Sequence, residues 1–184
     1  MLHHVSSMSQ SNKYEKLYQE TRNCCGEPFP EIAKFFAIYE EKQARVLDLG
    51  CGQGRDGLMV ARLGHSVLGV DASETGIRQM MEGANRENLD IRGLVADITQ
   101  YKLDEDFNIA ILDRVLHMLS EEARVCVLGQ VIHHIVRGGF VLIADMPSNK
   151  PKIREVFASA SSDWSAVLDK KGFLFVRRDS TDCE

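Results

Sequence analysis

The residues best suited to chemistry stand at the ends of three short apolar runs. The first run leads into the loop Asp48-Leu49-Gly50-Cys51-Gly52-Gln53-Gly54, and the next two are followed by Asp71 and Asp97. Glycines at alternate positions let the backbone pass close under a ligand, where any Cβ would collide. Carboxylates at neighbouring strand ends suit paired hydroxyl groups or a positive charge. The pattern therefore predicts a ligand site shared by these three loops.

The glycine loop by itself fits two kinds of ligand. Gly52-Gln53-Gly54-Arg55-Asp56-Gly57 is a literal GxGxxG, and an acid follows the next predicted strand, as in the dinucleotide-binding fingerprint. The helix after the loop would also present its N-terminus to a carboxylate or a phosphate. A second possible motif begins earlier in the chain, at Asp48, two residues before the first glycine of the loop. At this point a nicotinamide dinucleotide site remains an alternative.

The elements that must position these loops are those of an α/β domain, because apolar runs alternate with amphipathic segments. The predicted strands are Arg45–Leu49, Ser66–Val70, Ile91–Ala96, Phe107–Leu112 and Phe140–Ala144, followed by a hairpin of Trp164–Leu168 and Phe173–Arg177. The predicted helices are Glu31–Glu41, Asp56–Leu63, one from the cap Ser73 to about Asn85, one from the cap Ser120 to Gly138-Gly139, and Lys152–Ser159. We therefore expect a Rossmann-like, three-layer αβα sandwich around a mostly parallel seven-stranded sheet, with an antiparallel strand from the C-terminal hairpin. In such sheets ligands bind at the carboxyl ends of the strands, where the winding reverses.

Composition favours one domain whose partner is not a polyphosphate. The 184 residues include 22 basic and 27 acidic side chains, a net charge of −5, so no nucleic-acid partner is expected. No apolar run approaches the roughly 20 residues that cross a bilayer, so no membrane association is expected. Five irregularly spaced cysteines and the lack of a Cys/His cluster favour reduced thiols in a cytoplasmic protein without a metal. Residues 1–13 are expected to be a disordered or non-native tail before a single domain over residues 14–184, and both a monomer and a homodimer remain open.

Two stretches of the chain, DLGCGQGRDGLMVARLGHSVLGVDAS and FNIAILDRVLHML, resemble class I S-adenosylmethionine-dependent methyltransferases. The resemblance is greatest to the small tellurite-resistance and thiopurine-type methyltransferases, and it runs from about Tyr14 to Phe175. It implies S-adenosylmethionine as cofactor, S-adenosylhomocysteine as product and a small-molecule acceptor. Soft thiol, selenium or tellurium nucleophiles are candidates for that acceptor.

The resemblance also implies roles for individual residues. Gly50, Gly52 and Gly54 would border the methionine part of the cofactor, Asp71 would bind the ribose hydroxyls, and Asp97 with Ile98 would frame the adenine. Asp48, Cys51, Arg55 and Ala72 complete the predicted cofactor-binding set, together with Asp113 next to the methyl group. Asp113, His117 and Arg22 are the predicted catalytic residues: a carboxylate beside the sulfonium, a candidate base and a cation for an anionic acceptor.

The segment Tyr14–Cys25 is expected to fold over the cofactor. Within it, Thr21-Arg22 resembles the Thr-Arg element of tellurite-resistance enzymes, and convergence of Arg22, Arg55 and Arg114 would imply an anionic substrate. One departure is the short connection Asp145–Asn149, where larger relatives insert a lid. That departure predicts a rather open pocket and makes tellurite itself a doubtful acceptor.

Two alternatives to a methyltransferase remain. The first is an NAD(P)-binding Rossmann oxidoreductase. The sequence shows neither a second domain nor a Tyr-xxx-Lys pair, and both points argue against this alternative. The second is a non-catalytic protein that binds S-adenosylmethionine without turnover. Unfilled space beside the methyl group would count against this second alternative.

Overall fold

A central seven-stranded sheet organises residues 13–180, the part of the chain that the computed structural model describes. Its strands are β1 Arg45–Leu49, β2 Ser66–Asp71, β3 Ile91–Val95, β4 Phe107–Asp113, β5 Ile135–Ala144, β6 Trp164–Lys170 and β7 Phe173–Arg178. Their spatial order is β3-β2-β1-β4-β5-β7-β6. Strands β1 to β5 pair in parallel, and β7 lies antiparallel to both β5 and β6. The predicted sheet, with its antiparallel C-terminal hairpin, is confirmed.

Six helices connect or cover these strands within the described residues. They are α1 (residues 13–20), α2 Pro30–Ile38, α3 Arg55–Arg62, α4 Glu74–Glu87, α5 Glu121–His133 and α6 Lys150–Ala158, with short 3₁₀ turns at Leu116–Met118 and Pro147–Asn149. Two predicted N-caps are confirmed: the Ser73 hydroxyl accepts the N–H of Gly76 at 2.9 Å, and that of Ser120 accepts the N–H of Ala123 at 3.2 Å. The predicted tail, residues 1–13, lies outside the described residues except for Lys13, which is helical.

The helices form one layer on each face of the sheet. Along β4, Ile109 and Ile111 pack into a cluster with residues of α2, α3 and α4. Ala110 and Leu112 point to the opposite face and pack with residues of α5 and α6. Because successive side chains of a strand alternate between faces, one apolar strand supplies both cores. This arrangement is the predicted three-layer sandwich.

The predicted boundary between the helix after Ser120 and the fifth strand is wrong. Helix α5 ends at His133, and Ile135, expected on its apolar face, begins β5 and pairs with Phe107. Gly138 has φ +76° inside this strand, and a Cβ on Gly139 would collide with the carbonyl oxygen of Asn108. The two glycines therefore serve an irregular part of the sheet rather than the end of a helix. No helix within residues 13–180 is both long and apolar enough to cross a membrane.

Candidate active site

A cavity of about 680 Å³ opens at the carboxyl edge of the sheet, where the winding reverses between β1 and β4. Its volume is within the usual range for small-molecule sites. Ten of the predicted cofactor-binding residues line it: Asp48, Gly50, Cys51, Gly52, Arg55, Asp71, Ala72, Asp97, Ile98 and Asp113. Three predicted site residues, Gly54, His117 and Arg22, are outside this lining.

The glycine loop is shaped by contacts on both sides. Gly50 and Gly52 have φ values of +79° and +51°, which L side chains rarely adopt. A Cβ on Gly52 would overlap the Tyr18 hydroxyl, whereas one on Gly54 would overlap the side chain of Met80 on α4. Gly54 thus allows close packing between the loop and α4, which explains why it does not face the cavity.

Asp48 caps the helix that follows the loop. Its Oδ2 accepts the N–H of Gly57, in the first turn of α3, at 2.9 Å. Burial, and next the nearby Asp56 carboxylate, raise the pKa of Asp48 to about 8, while the Gly57 N–H acts in the opposite direction. The chain's own carboxylate thus takes one of the N–H groups at this helix N-terminus, where the sequence predicts a place for a carboxylate or phosphate of a ligand.

Asp71 ties the end of β2 to the glycine loop. Its Oδ2 accepts the N–H of Gly52 and its Oδ1 accepts the N–H of Ser73, each at 2.8 Å. Burial raises the pKa of Asp71, and these two N–H groups oppose the rise. A carboxylate oxygen has a second lone pair, so both oxygens can still accept hydroxyl groups from the cavity.

Asp97 stabilises the turn after β3 in a similar way. Its Oδ1 accepts the N–H of Thr99 at 2.9 Å and the hydroxyl of the same residue at 2.7 Å. Ile98 follows directly and is 9% exposed. The turn therefore offers the cavity a carboxylate beside an apolar side chain, an arrangement suited to a flat ring with a polar edge.

Arg55 bridges two carboxylates at the floor of the cavity. Its Nη2 donates to Asp56 Oδ2 at 3.1 Å and also to Asp113 Oδ2, and all three side chains are at most 15% exposed. Its Nη1 donates to the carbonyl oxygen of Cys25 at 3.2 Å. Because its charge is already balanced within the protein, Arg55 is poorly placed to bind an anionic substrate.

Acidic side chains outnumber basic ones around the cavity. Five carboxyl groups line it, those of Asp48, Asp56, Asp71, Asp97 and Asp113, against two guanidinium groups, those of Arg55 and Arg114. Such a cavity favours a ligand with positive charge and hydroxyl groups over one with several phosphates.

The predicted cover over the cavity is present. Tyr14, Leu17, Tyr18, Cys24 and Cys25 all line the cavity from the N-terminal side. The segment Tyr14–Cys25, which the sequence predicts to fold over the cofactor, therefore contributes to the wall of the cavity.

Glu15 and Gln53 hold this cover in place. The Glu15 carboxylate accepts the hydroxyls of Ser73 and Thr75, each at 2.6 Å, and these bonds lower its pKa to about 2. The Gln53 amide accepts the N–H of Cys24 at 2.9 Å and donates to the carbonyl oxygen of Thr21 at 2.8 Å. Neither residue stands out in the sequence, because a Glu on an amphipathic helix and a Gln in a loop have no spacing signal for such long-range contacts.

The three arginines whose convergence would imply an anionic substrate, Arg22, Arg55 and Arg114, do not all line the cavity. Arg22 is exposed and pairs with Glu82 on α4 at 2.7 Å, away from the cavity lining. Its assignment as a catalytic residue is therefore corrected: the ion pair holds the cover against α4. Arg114 does line the cavity, in a left-handed backbone conformation with φ +54°, and its guanidinium lies 5.1 Å from the centre of the Phe29 ring.

His117 lies beside the cavity rather than on its surface. Its sequence neighbours Val115 and Met118 line the cavity, and its Nδ1 is 3.1 Å from Asp145 Oδ1. Within residues 13–180, no group of three or more His, Cys, Asp or Glu side chains could hold a metal ion.

The strand order, the glycine loop and the strand-end acids together define the Rossmann-like methyltransferase fold. The family described as "Tellurite resistance protein TehB" matches residues 9–158, which is most of the chain. The chain therefore belongs to the TehB family.

Individual relatives agree with this membership. The chain is 31% identical over 121 residues to "Hemagglutinin 1" of Eikenella corrodens, covering 62% of this chain and 40% of the relative. It is 33% identical over 99 residues to the "Probable S-adenosyl-L-methionine-dependent methyltransferase TehB" of Haemophilus influenzae, covering 54% and 35%. The chain thus spans well under half the length of these curated relatives.

A solved structure of a TehB-like methyltransferase from Corynebacterium glutamicum has the same fold. The TM-score is 0.70 at 20% identity, and the match covers 94% of this chain and 99% of the other. Other matches include methyltransferases of ribosomal RNA, ribosomal protein and phosphoethanolamine, so the fold alone does not define the acceptor.

Proposed function

We propose that this protein is an S-adenosylmethionine-dependent methyltransferase that acts on a small molecule. The observation that carries the proposal is the acid-rich cavity around the glycine loop, in which Asp48 already takes an N–H at the start of α3. A sulfonium cofactor with a ribose and no phosphate fits this arrangement of charges.

The residues of the cavity match the parts of that cofactor. Asp71 would accept the two ribose hydroxyls, and Asp97 with Ile98 would hold the adenine ring. The backbone of Gly50 and Gly52 would border the methionine part, where no Cβ obstructs the approach. The Asp113 carboxylate would lie on the sulfonium side. When bound, the cofactor supplies a methyl group activated by the positive sulfur.

The chain's own residues would position and enclose the reactants. Methyl transfer is an in-line displacement, so the protein must align the acceptor with the sulfur that departs. The cover formed by Tyr14, Leu17 and Tyr18 would exclude water from the cofactor, and the Glu15 contacts would hold that cover closed. His117, beside Val115 and Met118, is the candidate for removing a proton from the acceptor.

The nicotinamide alternative fits the cavity less well. A dinucleotide would bring a pyrophosphate to the start of α3, where the buried carboxyl groups of Asp48 and Asp56 offer no positive charge to bind it. The Gly57 N–H that would bind a phosphate is already bonded to Asp48. The electrostatics of the site therefore favour the sulfonium cofactor.

A small acceptor is favoured by volume and charge. A cavity of about 680 Å³ can hold the cofactor together with a compact acceptor. The net charge of −5 is unfavourable for a nucleic-acid substrate.

The thiols of Cys24 and Cys25, 3.9 Å apart at the cavity, fit a reducing compartment such as the cytoplasm. We propose that residues 14–184 act as one catalytic domain.

The test is transfer of a tritiated methyl group from S-adenosylmethionine. Small thiols, selenite, tellurite and hydroxyarenes would be offered in one series, and total RNA and total protein in another. The proposal predicts label in the small-molecule series. Label confined to RNA or protein would contradict the small acceptor, and binding of the cofactor with no transfer in either series would favour a binding-only protein.

A further inference from the structure

A hydrogen-bonded chain of three side chains joins the loops after β4 and β5. His117 Nδ1 is 3.1 Å from Asp145 Oδ1, and Asp145 Oδ2 accepts the side-chain N–H of Asn149 at 3.0 Å. The Asp145 side chain is 3% exposed, whereas that of His117 is 28% exposed. A buried carboxylate therefore faces a partly exposed ring, on a turn whose residues Val115 and Met118 line the cavity.

The three hydrogen-bonded side chains lie at the same level of the sheet as the proposed reaction site. Asp113, which lines the cavity, pairs in register with Ala144, the residue before Asp145. The Arg114 N–H donates to the carbonyl oxygen of Ala144 at 2.8 Å, which joins the two loops. Arg124 on α5 donates to the carbonyl oxygens of Leu116 and Leu119, so the turn that carries His117 is fixed from the other side.

Orientation of the imidazole follows from the carboxylate. An ionised Asp145 accepts a proton held on Nδ1, which leaves Nε2 as the unprotonated nitrogen of the neutral ring. Within residues 13–180, Nε2 has no hydrogen-bond partner. A carboxylate that fixes the tautomer while the other nitrogen stays free is the arrangement that makes histidine a general base.

We infer that Asp145, supported by Asn149, is a positioning residue that makes His117 the general base for the methyl acceptor. The inference rests on the proposed methyltransferase function. In the step, the acceptor's O–H or S–H proton moves to His117 Nε2, the acceptor's electron pair forms the bond to the methyl carbon, and the carbon–sulfur bond breaks toward the departing thioether. Atoms and charge balance without any further reactant.

The inference restricts the class of acceptor. An anion that is already ionised needs no base, whereas a hydroxyl or thiol that is still protonated near neutral pH does. The structure therefore points to a protonated hydroxyl or thiol acceptor rather than a preformed tellurium or selenium oxyanion. Those anions carry no proton for His117 to remove, so the buried Asp145 carboxylate would not assist their methylation.

The test uses ¹⁵N-histidine NMR of the full chain, saturated in turn with S-adenosylmethionine and S-adenosylhomocysteine. These ligands differ at one methyl group and one charge on sulfur. We expect the His117 ring to hold its proton on Nδ1 and to give different resonances in the two complexes. His65, which is buried under α2 with Nδ1 accepting the Ala44 N–H, should give the same resonances in both. Asp145→Ala should move the His117 proton toward Nε2, and Asp145→Asn should move it less.

The outcomes separate this inference from the function on which it rests. If both ligands bind and the His117 resonances are identical in the two complexes, or its proton is on Nε2, the inference is wrong and the proposed function stands. If neither ligand binds, the proposed function fails and the inference fails with it.

Turnover gives a second readout. His117→Gln and Asp145→Ala should lower kcat for 2-mercaptoethanol by roughly 100-fold or more, with the KM for S-adenosylmethionine unchanged. Turnover of 5-thio-2-nitrobenzoate, already ionised at pH 7, should change little. Equal losses with both thiols would contradict a role of His117 in proton removal. If neither thiol is methylated, the NMR comparison alone tests the inference.

Discussion

The Tyr18 hydroxyl occupies the space that a Cβ on Gly52 would need. The Tyr18 side chain is buried, 5% exposed, and its ring also lies against Gly76 at the start of α4. The ring therefore has little room to move away. This contact ties the glycine loop to the cover above the cavity, and it makes the loop's shape depend on α1.

Gly52→Ala should destabilise the protein through two effects. The φ of +51° costs a side chain about 1 kcal/mol, and the overlap with Tyr18 should add roughly 1–3 kcal/mol. Gly26→Ala is the matched control, because Gly26 has φ +68°, within the same left-handed region, and a Cβ added there would meet nothing within 4 Å. Urea unfolding of both variants measures the difference, and equal losses would show that the Tyr18 contact does not matter.

Stability should depend on Glu15 in a pH-dependent manner. Hydrogen bonds to Ser73 and Thr75 lower the pKa of Glu15 from 4.5 to about 2. A carboxyl group with a lowered folded-state pKa stabilises the fold above its unfolded pKa, and this contribution is lost as pH falls toward the folded value. Glu15→Gln should therefore be less stable than the wild type at pH 7, and the two should converge between about pH 4.5 and pH 2.

The control for that experiment lies in the same helix. Among the described residues, Glu20 makes only an exposed ion pair with Lys16 at 3.9 Å, so Glu20→Gln should change stability little at any pH. The measurement is the thermal midpoint of the three proteins at a series of pH values. A constant gap between the wild type and Glu15→Gln down to pH 2 would contradict the account.

Removal of Arg55 should be among the most damaging single changes at the site. Arg55→Ala would leave Asp56 and Asp113 as two buried carboxylates without their shared cation, a change that typically costs about 3–5 kcal/mol. Adding Asp113→Asn to that variant should recover part of the loss. Arg45→Ala, at an exposed position, is the control, and urea unfolding at pH 7 is the measurement. A loss for Arg55→Ala no larger than that for Arg45→Ala would rule out a structural role for the bridge.

Much of the sheet could be predicted because its strands are short apolar runs that end in glycines or acids. The boundary at Ile135 could not, since an apolar residue after a helix fits its periodicity as well as the start of a strand. The pairing of Ile135 with Phe107 places Ile135 in the strand, and strand pairing joins residues that are far apart in the sequence.

The candidate site divides in the same way. Residues that follow the strands in sequence, such as Asp71 and Asp97, could be placed from the order of the chain alone. The surroundings of Arg22, Glu15 and His117 depend on partners that are 28 to 60 residues away. No local spacing predicts such contacts, so these partners emerge only from the folded chain.

The cavity should bind S-adenosylmethionine, and calorimetric titration measures such binding itself. S-adenosylhomocysteine should bind the wild type, and NADH, titrated in parallel, should not. Asp71→Asn should weaken S-adenosylhomocysteine binding by roughly 10- to 100-fold, because a charged acceptor for the ribose hydroxyls becomes a neutral one. Binding of NADH with no binding of S-adenosylhomocysteine would contradict the account and make the glycine loop a dinucleotide site.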